Sequence, residues 1–470
     1  MSATMTTGRT VLFAVAGGAA VGNLYWAQPL LDDVAADLGT STALAGLLVT
    51  LTQVGYALGI LLVVPLGDVL DRRRLVPGVL LASAVALVGA AVAPGFATLL
   101  VALALVGTTT VAGQLLIPLA GDLADPASRG RVVGTIASGV LTGILLSRTV
   151  SGVIAGLAGW RTVYVVAAVA AVVLAVLLRR AIPELPRREH LPYPRLIGSV
   201  FRTVGAHRAV RVTLVISSAT FAVFTMFWTS LTFLLSAEPY GWSTTGIGAV
   251  GLVGLAGAVA AQRVGRLHDR GLSVPVTGGA LVLVLVSLVV AGLGGRSVVL
   301  VLVAVLLLDV GVQAANVLNQ TRLFAIDPAA RSRLNTAFVT SNFVGGAIGS
   351  AVAAVLWDAG GWTAVTIGAA VLVGFATTVW AVHRRRALVV AEHPTAHSSG
   401  SPDDGAEDVG RARATRRRLL HHGRRTRRIL LHHGRSRRQI VVPAPTSSPP
   451  CSTCHRSASR TVSEAVHAGA

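Results

Sequence analysis

The sequence contains little of what a soluble protein depends on. Only 13% of its 470 residues are charged, against about 25% in a typical soluble domain, and 53% are hydrophobic. One soluble core could not cover that much apolar surface. The mean hydropathy of +0.70 therefore excludes an ordinary soluble domain and favours a chain that has the lipid bilayer as its solvent.

Lysine is absent, so all 40 basic residues are arginine. The net charge of +20 does not indicate nucleic-acid binding, because 17 of the arginines follow His383 in a tail of different composition, and most others occupy short gaps between apolar runs. The two cysteines, Cys451 and Cys454, also belong to that tail, which excludes a disulfide framework. The first apolar run has no small-residue cleavage site and does not resemble a signal peptide.

Long apolar runs recur along the chain. A spanning helix needs about 20 apolar residues, whereas barrel strands are much shorter, and a helix satisfies its backbone hydrogen bonds within one segment. The predicted fold class is an all-α membrane protein with twelve transmembrane helices in two pseudo-symmetric six-helix halves. The predicted spans are residues 10–31, 42–66, 75–93, 96–119, 132–157, 162–179, 211–235, 244–264, 274–294, 297–320, 334–356 and 362–383.

Arginine is distributed unevenly between the loops. With the N-terminus inside, the cytoplasmic segments before the tail hold 20 arginines and the external loops hold two, Arg161 and Arg296. This bias predicts that both termini are cytoplasmic. The predicted domains are a first half at 1–180, a central cytoplasmic linker at 181–210, a second half at 211–385 and a disordered basic cytoplasmic tail at 386–470.

The second half repeats the first. The stretch "DPASRGR" at 125–131 has a partner, "DPAARSR", at 327–333, with an offset of 202 residues. Earlier, "GDVLDRR" at 67–73 matches "GRLHDRG" at 265–271, with an offset of 198. Two nearly equal offsets in equivalent loops indicate that one half is a copy of the other.

Twelve spans as six plus six, with a G-x-x-x-D-R loop in each half, resemble the major facilitator superfamily. The stretches "GNLYWAQPLLDDVAADLG", "RGRVVGTIASGVLTGILLSRTVSG" and "DVGVQAANVLNQTRL" further resemble its bacterial sugar- and drug-efflux branch. The resemblance implies a carrier of the bacterial inner membrane that works by alternating access. It also implies efflux of a small organic solute or drug by antiport with protons.

The same resemblance implies a conformational latch in the two motif loops. A glycine allows a tight turn, and an Asp–Arg pair can hold the cytoplasmic ends of the halves together in contacts that a rocking carrier makes and breaks. The alternative is that these are ordinary positive-inside charges. The residues concerned are Gly67, Asp71 and Arg72 in the first copy and Gly265, Asp269 and Arg270 in the second.

Polar side chains concentrate in spans one, two, four, five, seven, ten and eleven. A polar group in lipid is costly unless it faces protein or a water-filled cavity, so these spans should surround a central pathway. Span ten carries Asp309, Gln313, Asn316 and Gln320 on one helical stripe. The alternative is interhelical hydrogen bonding that only holds the bundle together. The other pathway candidates are Asn23, Gln53, Tyr56, Gln114, Trp228 and Asn342.

Arg148 and Asp309 are charges deep within predicted spans. At a rise of about 1.5 Å per residue, Asp309 lies roughly 18 Å and Arg148 roughly 14 Å from the outer ends of their spans, so their depths match. We expect both to face the pathway and Asp309 to carry the coupled proton; a buried structural ion pair, or two separate pairs, is the alternative. The 202-residue offset pairs Arg148 with Ser350, so the cation belongs to the first copy alone.

Small residues follow one stripe of span five, at Gly139, Gly143, Ser147 and Ser151. Such a stripe predicts the close approach of another helix.

Other functions remain open. Proton-linked uptake is the alternative mechanism, and a receptor or scaffold that does not transport would need no polar stripe. An enzyme is not expected, because no nucleophile–base set, metal cluster or nucleotide loop is evident. The expected partners are the bilayer, a small-molecule substrate and protons, with no nucleic acid, ATP, metal or cofactor, and the chain is expected to be monomeric.

Overall fold

The computed structural model describes residues 5–184, 192–254, 272–327, 330–385 and 387–390. Every regular element in these ranges is helical, which confirms the all-α class. Nine helices in the described part are long and apolar enough to cross a membrane. The count of twelve spans and the division into two halves stay predictions.

The N-terminal segment, residues 5–184, contains nine α-helices and a short 3-10 helix at Gln28–Leu30. Serine and aspartate side chains cap several of them: Ser41 accepts a hydrogen bond from the Leu44 N–H, and Asp71 accepts one from the Arg73 N–H. The helices are α1 (Thr7–Gly22), α2 (Leu31–Leu38), α3 (Thr42–Leu62), α4 (Leu66–Val69), α5 (Arg72–Ala91), α6 (Phe96–Thr109), α7 (Ala112–Leu123), α8 (Arg129–Ala158) and α9 (Trp160–Ala181).

The C-terminal segment comprises the described residues from 192 onward. Its first helix, α10, lies within the predicted linker 181–210, and the Tyr193 hydroxyl in it donates to the Leu62 carbonyl at the end of α3. The helices are α10 (Tyr193–Ala206), α11 (Arg208–Ser236), α12 (Thr244–Ala249), α13 (Ser273–Leu293), α14 (Val298–Ile326), α15 (Arg331–His383) and α16 (Ala387–Val390). The predicted tail, apart from α16, lies outside the described residues.

Several helix boundaries differ from the predicted spans, and the predicted fourth span, 96–119, is divided between α6 and α7 at Thr110 and Val111. The predicted first span, 10–31, is not one helix: α1 ends at Gly22, and the chain continues through a turn into the 3-10 helix, where Pro29 lacks the N–H that an α-helix requires. Helix α15 covers both predicted spans 334–356 and 362–383. Its backbone leaves the helical region at Gly360 and Gly361, where φ is −172° and +58°, and only glycine adopts the second value without strain.

Glycines allow α1 and α8 to cross at backbone contact. A Cβ atom at position 143 would lie 2.2 Å from the Gly18 carbonyl oxygen, and one at position 18 would lie 2.5 Å from the Gly139 carbonyl oxygen. The predicted small-residue stripe of α8 thus finds its partner in α1. This contact fixes the position of α8, which carries Arg148.

Gly143→Ala tests this contact. The added methyl group forces the two backbones apart, and overpacking of this kind costs about 1–3 kcal/mol. We expect a lower midpoint of thermal unfolding for the purified protein in detergent.

Gly134→Ala is the matched control, because it lies in the same helix with nothing within 4 Å of its Cβ position. Alanine there should leave the midpoint unchanged or raise it slightly. Equal midpoints for the two variants would contradict the close contact.

Candidate functional site

Arg148 lies in the middle of α8 with only 2% of its surface exposed. Its Nε donates a 2.6 Å hydrogen bond to Oε1 of Gln28 in the 3-10 helix. The guanidinium carbon lies 4.2 Å from the ring centre of Trp228, 4.8 Å from that of Tyr25 and 5.6 Å from that of Phe224. These rings stabilise the desolvated cation. Nη1 and Nη2 have no hydrogen-bond partner in the described part of the chain.

Asp309 lies on α14 with none of its surface exposed. Neither carboxylate oxygen has a hydrogen-bond partner among the described residues. Gly254 is close: a Cβ atom there would lie 2.6 Å from Oδ2 of Asp309 and 3.1 Å from Cζ2 of Trp228. The chain that follows α12 can approach Asp309 this closely only because residue 254 lacks a side chain.

The structure brings Arg148 and Asp309 to the same tryptophan. The two charges attract each other electrostatically, yet they do not form a direct hydrogen-bonded ion pair, because the outer guanidinium nitrogens and both carboxylate oxygens lack such partners in the described ranges. Trp228 contacts both groups: its ring lies over the Arg148 guanidinium, and its Nε1 interacts with Asp309 at a geometry that falls short of a hydrogen bond. The site therefore places a cation of the N-terminal segment near an acid of the C-terminal segment, with no hydrogen bond between the two charges.

Five aromatic side chains continue from this pair, and we call them the aromatic row. Three of them, Phe221, Phe224 and Trp228, lie on one face of α11, with ring centres 5.6 Å and 6.4 Å apart along the row. Phe343 of α15 lies 5.0 Å from Phe221 and 4.4 Å from Tyr56 of α3. The row thus connects Trp228 with Tyr56 across both segments.

A chain of amides begins where the aromatic row ends. Gln114 donates from Nε2 to the Tyr56 hydroxyl at 3.4 Å, and its Oε1 accepts from Asn335 Nδ2 at 3.4 Å. Asn335 in turn accepts from Gln320 Nε2 at 3.2 Å. Three of these residues were predicted. Asn335 was missed, although its position seven residues before Asn342 places both on one face of α15.

The polar stripe predicted on α14 continues from Asp309 toward the C-terminal end of the helix, where its amides are half-buried. Gln313, Asn316 and Gln320 are each of intermediate exposure, and Asn316 accepts a 3.2 Å hydrogen bond from Asn342 Nδ2. The amides therefore hold neighbouring helices together and also present polar surface beside Asp309.

Two other predicted pathway residues make structural contacts. Asn23 donates to Thr110 at 3.0 Å and accepts from Trp26 at 2.6 Å, which ties the end of α1 to the break between α6 and α7. Gln53 of α3 donates to Thr225 of α11 at 3.4 Å, while its Oε1 has no partner among the described residues. Gln53 thus links the two segments near the aromatic row.

The first motif loop is organised by Arg72. It donates to the Gly67 carbonyl at 2.7 Å, to Asp122 at 2.8 Å and to Asp68 at 3.1 Å. Asp71, expected to act with Arg72 in a latch, caps α5, and the latch stays a prediction. The two acids that pair with Arg72 were missed, although Asp68 stands only four residues before it. The second motif loop, with Gly265, Asp269 and Arg270, lies outside the described residues.

At the opposite end of the bundle, α8 and α12 meet through glycines. Thr149 donates to the Gly248 carbonyl at 2.9 Å, and Thr245 donates to the Gly152 carbonyl at 3.1 Å. Close by, Thr244 donates to Asp33 at 2.6 Å. Gly248 lies against α8, and Gly254 lies against Asp309. The chain from α12 therefore packs against both, which the sequence did not predict.

Asp37 and Arg161 form an ion pair near the same end of the bundle. The hydrogen bond from Arg161 lowers the pKa of the exposed Asp37 carboxyl below its ordinary value, and Trp160 also donates to it. This pair joins the end of α2 to the start of α9.

Comparisons with known proteins show the family of the chain. A model of the Major Facilitator Superfamily matches residues 12–326. The chain is 42% identical to the uncharacterized transporter YgaY of Escherichia coli O157:H7 over 379 residues, which cover 80% of this chain and 96% of that protein. It is 34% identical to the probable transporter SCO4007 of Streptomyces coelicolor over 374 residues, covering 78% and 86% of the two chains.

A solved structure is similar in fold. It is the bacterial homologue of the human lysosomal transporter Spinster, in an inward-facing and occupied conformation. The TM-score is 0.67 at 15% identity, and the match covers 80% of this chain and 96% of that one. At this identity the likeness supports the fold alone.

A double-mutant cycle tests the coupling between the two buried charges. Arg148→Gln and Asp309→Asn should each lower thermal stability, because each leaves the other charge without its counterion. The double variant should be more stable than the sum of the single effects predicts, with a coupling of about 0.5–3 kcal/mol. Thermal unfolding of the purified variants measures this.

The exposed Arg161–Asp37 pair supplies the comparison cycle. Solvent screens that pair, so Arg161→Gln and Asp37→Asn should show a much smaller coupling. Strict additivity of Arg148→Gln and Asp309→Asn would contradict an electrostatic link.

Proposed function

Because the chain belongs to the major facilitator superfamily and is a membrane transporter, we propose that it exports a small organic solute in exchange for protons. The observation that carries the proposal is the buried pair Arg148 and Asp309. The two charges lie on different segments, attract each other and leave their outer polar atoms without partners in the described ranges. Unpaired polar groups are costly in a membrane interior. A solute or proton that supplies the missing partners is therefore bound favourably.

The proposed architecture has twelve transmembrane helices in two six-helix halves, with both termini in the cytoplasm of a bacterial cell. The repeated loops support the two halves, and the arginine bias supports the orientation. The break at Gly360 and Gly361 falls in the gap between the last two predicted spans. In this arrangement the halves rock about a site near the membrane midplane.

The proposed solute site lies beside Arg148 and along the aromatic row, whose first rings contact the guanidinium. Arg148 supplies hydrogen-bond donors, the rings supply apolar contact area, and the amides of α14 and α15 line the polar side. With the proposed orientation, the α8–α12 contact closes the outer end.

Asp309 is the proposed proton carrier. Its protonation removes the negative charge that attracts Arg148, so each proton changes the electrostatic balance between the two segments. A carrier whose halves are held by that balance shifts its conformational equilibrium when the proton binds. This coupling needs no nucleotide.

Asp309→Asn tests the proposal. Inside-out vesicles with an acidic lumen should accumulate at least one member of a panel of small organic solutes when they contain the native protein. The Asn variant should lose this gradient-driven accumulation while retaining exchange of labelled for unlabelled solute, because exchange needs the rocking motion but no net proton transfer. Asp358→Asn makes the same chemical change at an exposed acid and should behave like the native protein.

The direction of proton movement separates the alternatives. If the acidic lumen instead drives preloaded solute out of the vesicles, the carrier is a proton-linked uptake system. Full gradient-driven accumulation by Asp309→Asn would remove Asp309 from the coupling step.

A further inference from the structure

Hydrogen-bond donors without partners cluster at the Arg148 guanidinium. Nη1 and Nη2 of Arg148 and the amide nitrogen of Gln28 are all buried and make no hydrogen bond within the described ranges. The bond from Nε to Gln28 Oε1 holds the guanidinium in place, and three rings surround it. A fixed guanidinium fork with both outer nitrogens free matches the two oxygens of a carboxylate.

Acceptors without partners also lie near Trp228. Both oxygens of Asp309 are buried and lack a donor among the described residues. A carboxylate accepts several hydrogen bonds, and an ammonium group offers three donors and a positive charge. Because Arg148 attracts Asp309 but does not hydrogen-bond to it, the acid is open to a second cation.

The charges of the two groups restrict which solute satisfies both. An anion alone would pair with Arg148 and leave Asp309 with an unpaired carboxylate or a bound proton. A cation alone would pair with Asp309 and leave Arg148 unpaired. An unpaired charge is penalised in a site that excludes water, and so are the oxygens of a protonated Asp309 that still lack partners. A solute that carries both charges supplies a partner to each group and adds no net charge.

We propose that the site binds an amphoteric solute, with its carboxylate on Arg148, its ammonium group on Asp309 and its apolar body against the aromatic row. This assignment rests on the proposed transport function and deepens it. The row begins at Trp228, which contacts both charged groups, and runs away from them through Phe224 and Phe221. An apolar body of planar or branched shape fits beside such a surface. An ammonium group on Asp309 also takes the place of the coupled proton, which favours exchange over cotransport.

Matched triads of probes test the solute class. Each triad shares one apolar body: phenylalanine, 3-phenylpropionate and phenethylamine; tryptophan, indole-3-propionate and tryptamine; and leucine, 4-methylpentanoate and isoamylamine. Binding to the purified full-length protein in lipid nanodiscs is measured by the shift in thermal unfolding as a function of probe concentration. We expect the amphoteric member of at least one triad to bind at least tenfold more tightly than both single-charge members.

Charge variants show which group each end of the probe uses. In Arg148→Gln the amphoteric probe should lose its advantage over the amine, and in Asp309→Asn it should lose its advantage over the carboxylate. A merely structural role would weaken all three members alike. Asp358→Asn should leave the order of binding unchanged.

The results separate failure of the solute class from failure of transport. Equal or tighter binding of a carboxylate or an amine in every triad, or no binding by any amphoteric probe, overturns the amphoteric assignment. In that case a proton-driven solute in the vesicle experiment still supports the transport function. Selective amphoteric binding without any proton-driven movement supports the solute class and overturns the coupling.

Discussion

The site depends on the burial of one guanidinium within a helix apolar enough to cross a membrane. Arg148 cannot release its proton under ordinary conditions, so its surroundings must stabilise a permanent positive charge. The structure meets this constraint with one hydrogen bond to Gln28, the faces of three aromatic rings and the field of Asp309. None of these neutralises the charge by contact. The arrangement that stabilises the buried charge therefore leaves Nη1 and Nη2 of Arg148 without partners among the described residues.

Breaks in regular structure position these groups. Helix α1 stops at Gly22, and the following turn and 3-10 helix place Tyr25 and Gln28 against Arg148. On the other side, Gly248 and Gly254 let the chain from α12 lie against α8 and Asp309. A continuous first helix would present Gln28 from a different direction, and side chains at the two glycines would hold the segments apart. Site geometry here follows from local departures from the helix.

The sequence predicts the helices better than the contacts between them. Apolar runs of about 20 residues and the spacing of Asp309, Gln313, Asn316 and Gln320 are properties of single helices, so periodicity reveals them. The partners of Arg148 and Arg72 depend mainly on how helices cross, and Gln28 and Asp122 carry no local pattern that predicts such contacts. Likewise, the capping role of Asp71 depends on where α5 begins. The need for glycine at position 254 follows from its contact with Asp309 and Trp228, which the sequence does not reveal.

One departure from the sequence repeat falls at Arg148. The offset that aligns the two copies places Ser350 opposite Arg148, and the Ser350 hydroxyl lies 2.7 Å from that of Thr50 on α3. At this position, one copy therefore uses a neutral hydroxyl to join helices, while the other carries a cation with unused donors. A serine hydroxyl is sufficient for helix packing at this position, so packing does not require an arginine there. This asymmetry supports the proposed role of Arg148 in binding, with Asp309 as the group that balances its charge when the proposed site is empty.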